Sequence, residues 1–97
     1  MNNCTLQGRI SGVPQQRELP SGDVVVAFRL VVPRADSTRV DTIDCAVTSV
    51  RLRRLVLKLE PGSEVTVEGE LHRRFWRSAQ GVASRYEVQA EVVRRVT

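Results

Sequence analysis

Ninety-seven residues supply one domain's worth of chain, since domains cluster near ~100–150 residues, and a second domain does not fit. With 41% hydrophobic and 27% charged residues the composition is that of a globular chain and excludes a disordered one. No apolar run approaches the ~18 residues of a membrane span, and Met1-Asn2-Asn3-Cys4 lacks the basic and apolar regions of a signal peptide, so the expected setting is soluble and cytoplasmic, without membrane partners.

Seventeen valines, mostly in alternating runs, predict a mainly β chain, because β-branched residues at period two suit a half-buried strand. In the first strand Cys4, Leu6, Gly8 and Ile10 share one face and Thr5, Gln7 and Arg9 the other, until Gly12-Val13-Pro14 ends or bends it. Leu19-Pro20-Ser21-Gly22-Asp23 reads as a tight turn. The second strand, Val24 to Val32, places Val24, Val26, Phe28, Leu30 and Val32 inward. Its other face carries Val25, Ala27 and Val31, apolar enough to expect cover from a neighbouring chain. Residues Pro33 to Thr38 form a loop. A third strand, Val40 to Thr48, turns Ile43, Cys45 and Val47 inward and Thr42, Asp44, Ala46 and Thr48 outward.

Leu52, Leu55, Val56 and Leu59 recur at helical spacing, with Thr48 or Ser49 as the cap and Pro61-Gly62 as the stop. This predicts one helix of ten residues, its Arg51, Arg53, Arg54 and Lys58 forming a solvated face. The remainder is a long hairpin. Val65, Val67, Gly69 and Leu71 alternate on the outgoing strand, Tyr86, Val88, Ala90 and Val92 on the return, and Ser78-Ala79-Gln80-Gly81 makes the tip. Three strands, a helix and two strands is the element order of an OB-fold, a five-stranded Greek-key barrel, here as a single domain over residues 1–97. An SH3-like barrel does not accommodate such a helix at that place.

Catalysis finds little footing. His72 is the sole histidine, and there is no nucleophile elbow, phosphate-binding glycine loop or carboxylate cluster with ligand spacing, so neither enzymatic activity nor a small-molecule substrate, cofactor or metal is expected. Glu64, Glu68 and Glu70 share one strand face and read as a solvated stripe. Cys4 and Cys45 lack metal or redox spacing and read as buried free thiols.

The basic residues are more informative. Fifteen Lys+Arg against eleven Asp+Glu give a net charge of +4, almost wholly from arginine, whose planar fork suits phosphates and stacks on bases. From Leu71 to Arg85 the chain carries Arg73, Arg74, Arg77 and Arg85 with Phe75 and Trp76 and no acid. Arginines beside exposed rings are what binding of single-stranded nucleic acid requires: cations track phosphates and rings stack on unpaired bases. By strand parity Phe75 keeps step with Val67 and Leu71 and is expected in the core or loop base, whereas Trp76 keeps step with His72 and Arg74 and is expected to be accessible. Spacing alone leaves a second reading open, in which Trp76 caps the barrel and the arginines solubilise the hairpin.

These residues resemble the bacterial single-stranded-DNA-binding protein family over nearly the whole chain. Asn3 to Gly12 is similar to its opening strand, and Leu19-Pro20-Ser21-Gly22 followed by Val26-Ala27-Phe28-Arg29-Leu30 to its turn and second strand. Ile43-Asp44-Cys45, the helix into Pro61-Gly62-Ser63, and Val65-Thr66-Val67-Glu68-Gly69-Glu70-Leu71 match in order and spacing, the last most specifically. Arg74-Phe75-Trp76, Gly81 and Tyr86-Glu87-Val88 continue in register. The resemblance implies non-catalytic binding of single-stranded DNA with slight sequence specificity, in replication, recombination or repair at the bacterial nucleoid. It also implies a homo-oligomer, a tetramer first and a dimer second, association with a longer paralogue, and an OB-fold held on DNA by Trp76, Arg73, Arg74, Arg77 and Arg85, with lesser contributions from Arg34, Arg29 and Arg9.

Two departures stand beside it. The family stacks bases on third-strand aromatics where this chain has Thr42 and Thr48, and on one in the loop after the second strand, where Arg34-Ala35-Asp36 stands. At ~1–3 kcal/mol per stacked base, those losses imply binding weaker by orders of magnitude. The chain also stops at Thr97 without the family's linker and acidic tail, as expected of a short divergent paralogue or a trimmed form. The alternative reading is accordingly a protein-interaction or primosome-accessory subunit with a weakened or lost DNA groove.

Overall fold

Alternating valines close into a barrel because each strand offers one apolar face and needs another to cover it. The computed structural model describes residues 1–96. Its elements are β1 (Cys4–Glu18), β2 (Val24–Pro33), β3 (Val40–Val47), α1 (Val50–Leu57), β4 (Glu64–Ser78) and β5 (Gly81–Arg95). The strands form a closed barrel in the order β1-β2-β3-β5-β4. Closure rests on two parallel rungs between β3 and β5, Cys45 opposite Val88 and Ala46 opposite Gln89, while every other pairing is antiparallel. With the helix between the third and fourth strands, this is an OB-fold. Val26, Leu30, Cys45, Val47, Val65, Val67 and Val88 fill its interior.

β1 bends where Gly12-Val13-Pro14 predicts, and then continues. Gly12 has φ +75°, and the β1–β2 register shifts between Ser11 and Gln15 before pairing resumes to Glu18 opposite Val24. One strand thus serves both neighbours, with Cys4 to Arg9 against β4 and Arg9 to Glu18 against β2. Val25, expected on a face awaiting a neighbour, is only 7% exposed in the single chain. Ala27 and Val31, both half-buried, are what remains of that face for a partner.

α1 is shorter than its apolar stripe. Ser49 is the cap, its Oγ accepting from the Leu52 N–H at 3.2 Å, and the helix runs eight residues. Its end tightens, with the N–H groups of Lys58 and Leu59 donating to the carbonyls of Leu55 and Val56. Leu59 therefore reaches the core from just beyond the helix, alongside Leu52 and Val56.

The β4–β5 hairpin departs from strict alternation. Glu68 pairs with Val92 but Gly69 pairs with Ala90, so Glu91 is an extra residue that inverts the facing of the residues after it. Val93, at 5% exposure, takes the inward place that parity assigned to Val92, which is half-buried. Gly69 stands at this bulge because a Cβ there would lie 2.0 Å from the Gln89 carbonyl oxygen. The glycine of Val65-Thr66-Val67-Glu68-Gly69-Glu70-Leu71 thus has a steric reason.

β1 accompanies β4 only as far as Gly69. Two residues further along β4, the Asn2 side chain stands in for another rung, its Nδ2 donating to the Leu71 carbonyl at 2.7 Å and its Oδ1 accepting from the Leu71 N–H at 2.9 Å. From there to the tip at Ser78–Gly81, β4 pairs with β5 alone among the described residues. The hairpin end is therefore a two-stranded ribbon projecting from the barrel.

Candidate nucleic-acid interface

A ribbon without a third strand or a covering layer exposes both faces, and that decides what its side chains can do. Glu70, His72, Arg74 and Trp76 alternate on one face, opposite Gln89, Glu87, Arg85 and Ala83; Leu71, Arg73, Phe75 and Arg77 alternate on the other, opposite Val88, Tyr86, Ser84 and Val82. The five hairpin residues expected to bind nucleic acid thus lie together along the ribbon but divide between its faces.

Trp76 is 46% exposed, as its parity predicts, and the Arg85 guanidinium lies 5.8 Å from the ring centroid. Arg74 is anchored, its Nε donating to Glu87 Oε1 and its Nη2 to Gln89 Oε1, each at 3.1 Å. Arg85 approaches the second oxygen of Glu87 at 3.9 Å. Glu87, only 7% exposed, therefore holds both arginines where the ribbon leaves the barrel. His72 bonds Glu70 through Nε2 at 3.0 Å, a pair two residues apart on this same face.

The opposite face corrects the expectation for Phe75. It is not in the core but 63% exposed, and Tyr86, assigned inward with Val88, is 60% exposed. Leu71 is likewise 44% exposed. Parity puts these residues in step with the core, but the core ends near Gly69, so the same face runs on into solvent. Strand length carried the signal: β4 and β5 have fifteen residues each, and β3, which would cover them, has eight. The Arg73 guanidinium lies 4.9 Å from the Phe75 centroid and 5.5 Å from that of Tyr86, and both its Nε and Nη2 donate to Ser84 Oγ.

Where the Trp76 face meets the barrel, a groove of about 270 Å³ runs between the β1 bulge and the ribbon base, lined among others by Arg17, Arg29, Asp44, Arg85 and Glu87. Arg29 and Arg85 are thereby brought together, Arg29 being paired with Asp44 at 3.4 Å. Arg34 lies outside this groove, bound to Asp41 at 2.9 Å, and that carboxylate raises the guanidinium's already high pKa. Arg9 also lies outside it, on the outer face between Val31 and Glu64. Thr42 and Thr48 are exposed on the third strand and its end. Cys45 is buried among apolar side chains, which pushes its thiol pKa up to about 12, with the Asp44 charge adding to the effect. Among the described residues no three His, Cys, Asp or Glu side chains converge as a metal site, and no helix is long and apolar enough to cross a membrane.

The model of the single-strand binding protein family matches residues 1–96. The chain belongs to that family. It is 31% identical to single-stranded DNA-binding protein A of Bacillus subtilis over 96% of its own length and 58% of the relative's. A single-stranded DNA-binding protein of Bacillus cereus is 30% identical over 84% of this chain and 51% of its own. The chain thus spans about half the length of the curated relatives it matches. Among solved structures, one described as the Plasmodium falciparum SSB complex with ssDNA superposes with a TM-score of 0.80, covering 100% of this chain and 96% of the other. At 23% identity that likeness establishes the shared fold.

Proposed function

We propose that this chain binds single-stranded DNA without catalysis and with little sequence preference, residues 1–97 acting as one OB-fold unit. The observation that carries the reading is Trp76, held half-exposed on a projecting ribbon with the Arg85 guanidinium over its ring and an arginine-lined groove at the ribbon's base. A tryptophan face stacks on any unpaired base, and guanidinium groups beside it neutralise the adjoining phosphates. Arg73, Arg74, Arg77 and Arg85 supply the near contacts and Arg29, Arg34 and Arg9 the outlying ones. The family membership and the names of the relatives support the same ligand. A homotetramer, cytoplasmic and nucleoid-associated, serving replication, recombination or repair, completes the proposal, with a longer paralogue as a further partner.

A second reading is favoured by the ion pairs. Arg29, Arg34 and Arg74 are each already matched to a carboxylate, as a protein-interaction or primosome-accessory subunit with a reduced DNA groove would show. Fluorescence anisotropy with a labelled unstructured oligonucleotide at low salt separates the two. The DNA reading expects saturable binding that unlabelled duplex competes for poorly. It further expects Trp76→Phe to keep most affinity and Trp76→Ala to cost ~1–3 kcal/mol. No binding at low salt would favour the interaction subunit.

A further inference from the structure

We propose that the ribbon face opposite Trp76, built from Phe75 and Tyr86 around Arg73, is a second stacking platform for unpaired bases. This rests on the single-stranded-DNA reading and deepens it, since it moves part of the binding onto residues that parity assigns to the core. Three features of the face point to a nucleic-acid strand as its occupant.

The first is exposure without cover: Phe75 and Tyr86 are 63% and 60% exposed, more than Trp76 at 46%. The second is order. Arg73 stands opposite Tyr86 and two residues from Phe75, lies over both rings at 4.9 and 5.5 Å, and is tied to Ser84 Oγ at 3.2 and 3.0 Å. Rings held by a shared guanidinium lose little freedom when a base arrives, and that guanidinium is in place for the neighbouring phosphate.

Charge is the third. From Leu71 to Arg77 and from Val82 to Val88 this face carries Arg73 and Arg77 and no carboxylate, and neither arginine has an ion pair among the described residues. The Trp76 face differs, its Arg74 and Arg85 both drawn to Glu87. An uncompensated pair of cations attracts a polyanion. A second copy of the same face, packed about a two-fold axis, would instead set arginines against arginines. A strand that passes around the ribbon thus meets rings on both faces, Trp76 on one and Phe75 with Tyr86 on the other.

Phe75→Ala/Tyr86→Ala tests this, with an oligonucleotide of about 16 nucleotides as the probe, read by anisotropy. Both side chains are exposed, and an unchanged melting temperature verifies the fold. We expect affinity to fall about 5- to 150-fold or more with the salt slope unchanged, since one stacked base is worth ~1–3 kcal/mol and carries no counterion. Phe75→Tyr/Tyr86→Phe is expected to retain affinity within about threefold, as either ring offers a stacking face. Photo-crosslinking of a 5-iodouracil-containing strand should label peptides holding Phe75 or Tyr86. Undiminished affinity of the double alanine variant, with crosslinks confined to Trp76, overturns the second platform and leaves the DNA reading standing. Loss of self-association with affinity unchanged makes the face an interface between copies and also overturns it. Wild type that binds no strand at low salt overturns both.

Discussion

Arg74→Ala and Arg77→Ala remove the same charge from the same ribbon, and each should flatten the salt slope by roughly 0.7 as a phosphate contact is lost, yet their structural settings predict that only Arg74→Ala also costs stability. Arg74 gives Glu87 and Gln89 a hydrogen bond each at 3.1 Å, and the Glu87 side chain it satisfies is 9% exposed. Removing it leaves that carboxylate with Arg85 at 3.9 Å as its ion-pair partner. Stripping a buried acceptor of its partner costs ~1–3 kcal/mol, and because Arg74 is itself 44% exposed, water takes up part of the loss and keeps the cost in that range. At roughly 4–8 °C per kcal/mol for a domain of this size, the melting temperature should drop by about 5–20 °C. Arg77 has no ion-pair partner among the described residues, so Arg77→Ala should shift stability by no more than about 0.5 kcal/mol. Its effect belongs to binding: the slope of log K against log salt should flatten by roughly 0.7 as one phosphate contact is lost. Thermal melts by circular dichroism and salt-dependent anisotropy titrations read the two effects separately. In the Arg74→Ala background, Glu87→Gln should recover part of the lost melting temperature by removing the stranded charge. Should Arg74→Ala melt like wild type, the anchoring role assigned to Arg74 is wrong.

Gly69→Ala should cost ~1–3 kcal/mol or prevent folding, because its Cβ would fall 2.0 Å from the Gln89 carbonyl oxygen; a melting temperature equal to wild type would disprove that close approach. Cys45, with its thiol pushed up to about 12, should resist a thiol reagent at pH 8 in the folded state, while half-buried Cys4 reacts faster. The folded thiol ionises later than the unfolded one, so its contribution to stability is whole below about pH 9 and is lost as pH rises toward 12. Equal labelling rates for the two thiols would contradict the burial of Cys45. Assembly should give a tetramer, or failing that a dimer, in sedimentation equilibrium at micromolar concentration; an exclusively monomeric species refutes it.

Most of the barrel is legible in the sequence because its information is local. Val26, Phe28 and Leu30 alternate inward as read, and Ser49 caps the helix that Leu52 and Val56 predict. What was not legible depends on other segments. The Glu91 bulge that exchanges Val92 for Val93 arises from the close approach of β4 and β5 at Gly69, which periodicity within one strand does not encode. Phe75 and Tyr86 lie outside the core for a related reason: alternation tells which side a residue faces, and the length of neighbouring strands tells whether that side is covered. The binding residues divide similarly. Arginine and aromatic types are plain in the sequence, but the matching of Arg29 to Asp44, Arg34 to Asp41 and Arg74 to Glu87 comes from pairing across strands.

Titrating an unstructured single strand against the intrinsic fluorescence of Trp76, the sole tryptophan, tests the central claim most directly. Stacking on the exposed indole predicts a saturable quench at low salt. If about four phosphates are neutralised per protomer, the slope of log K against log salt should lie near −3, at roughly −0.7 per contact. A fluorescence signal unmoved by the strand, with no accompanying change in its anisotropy at low salt, would contradict the account.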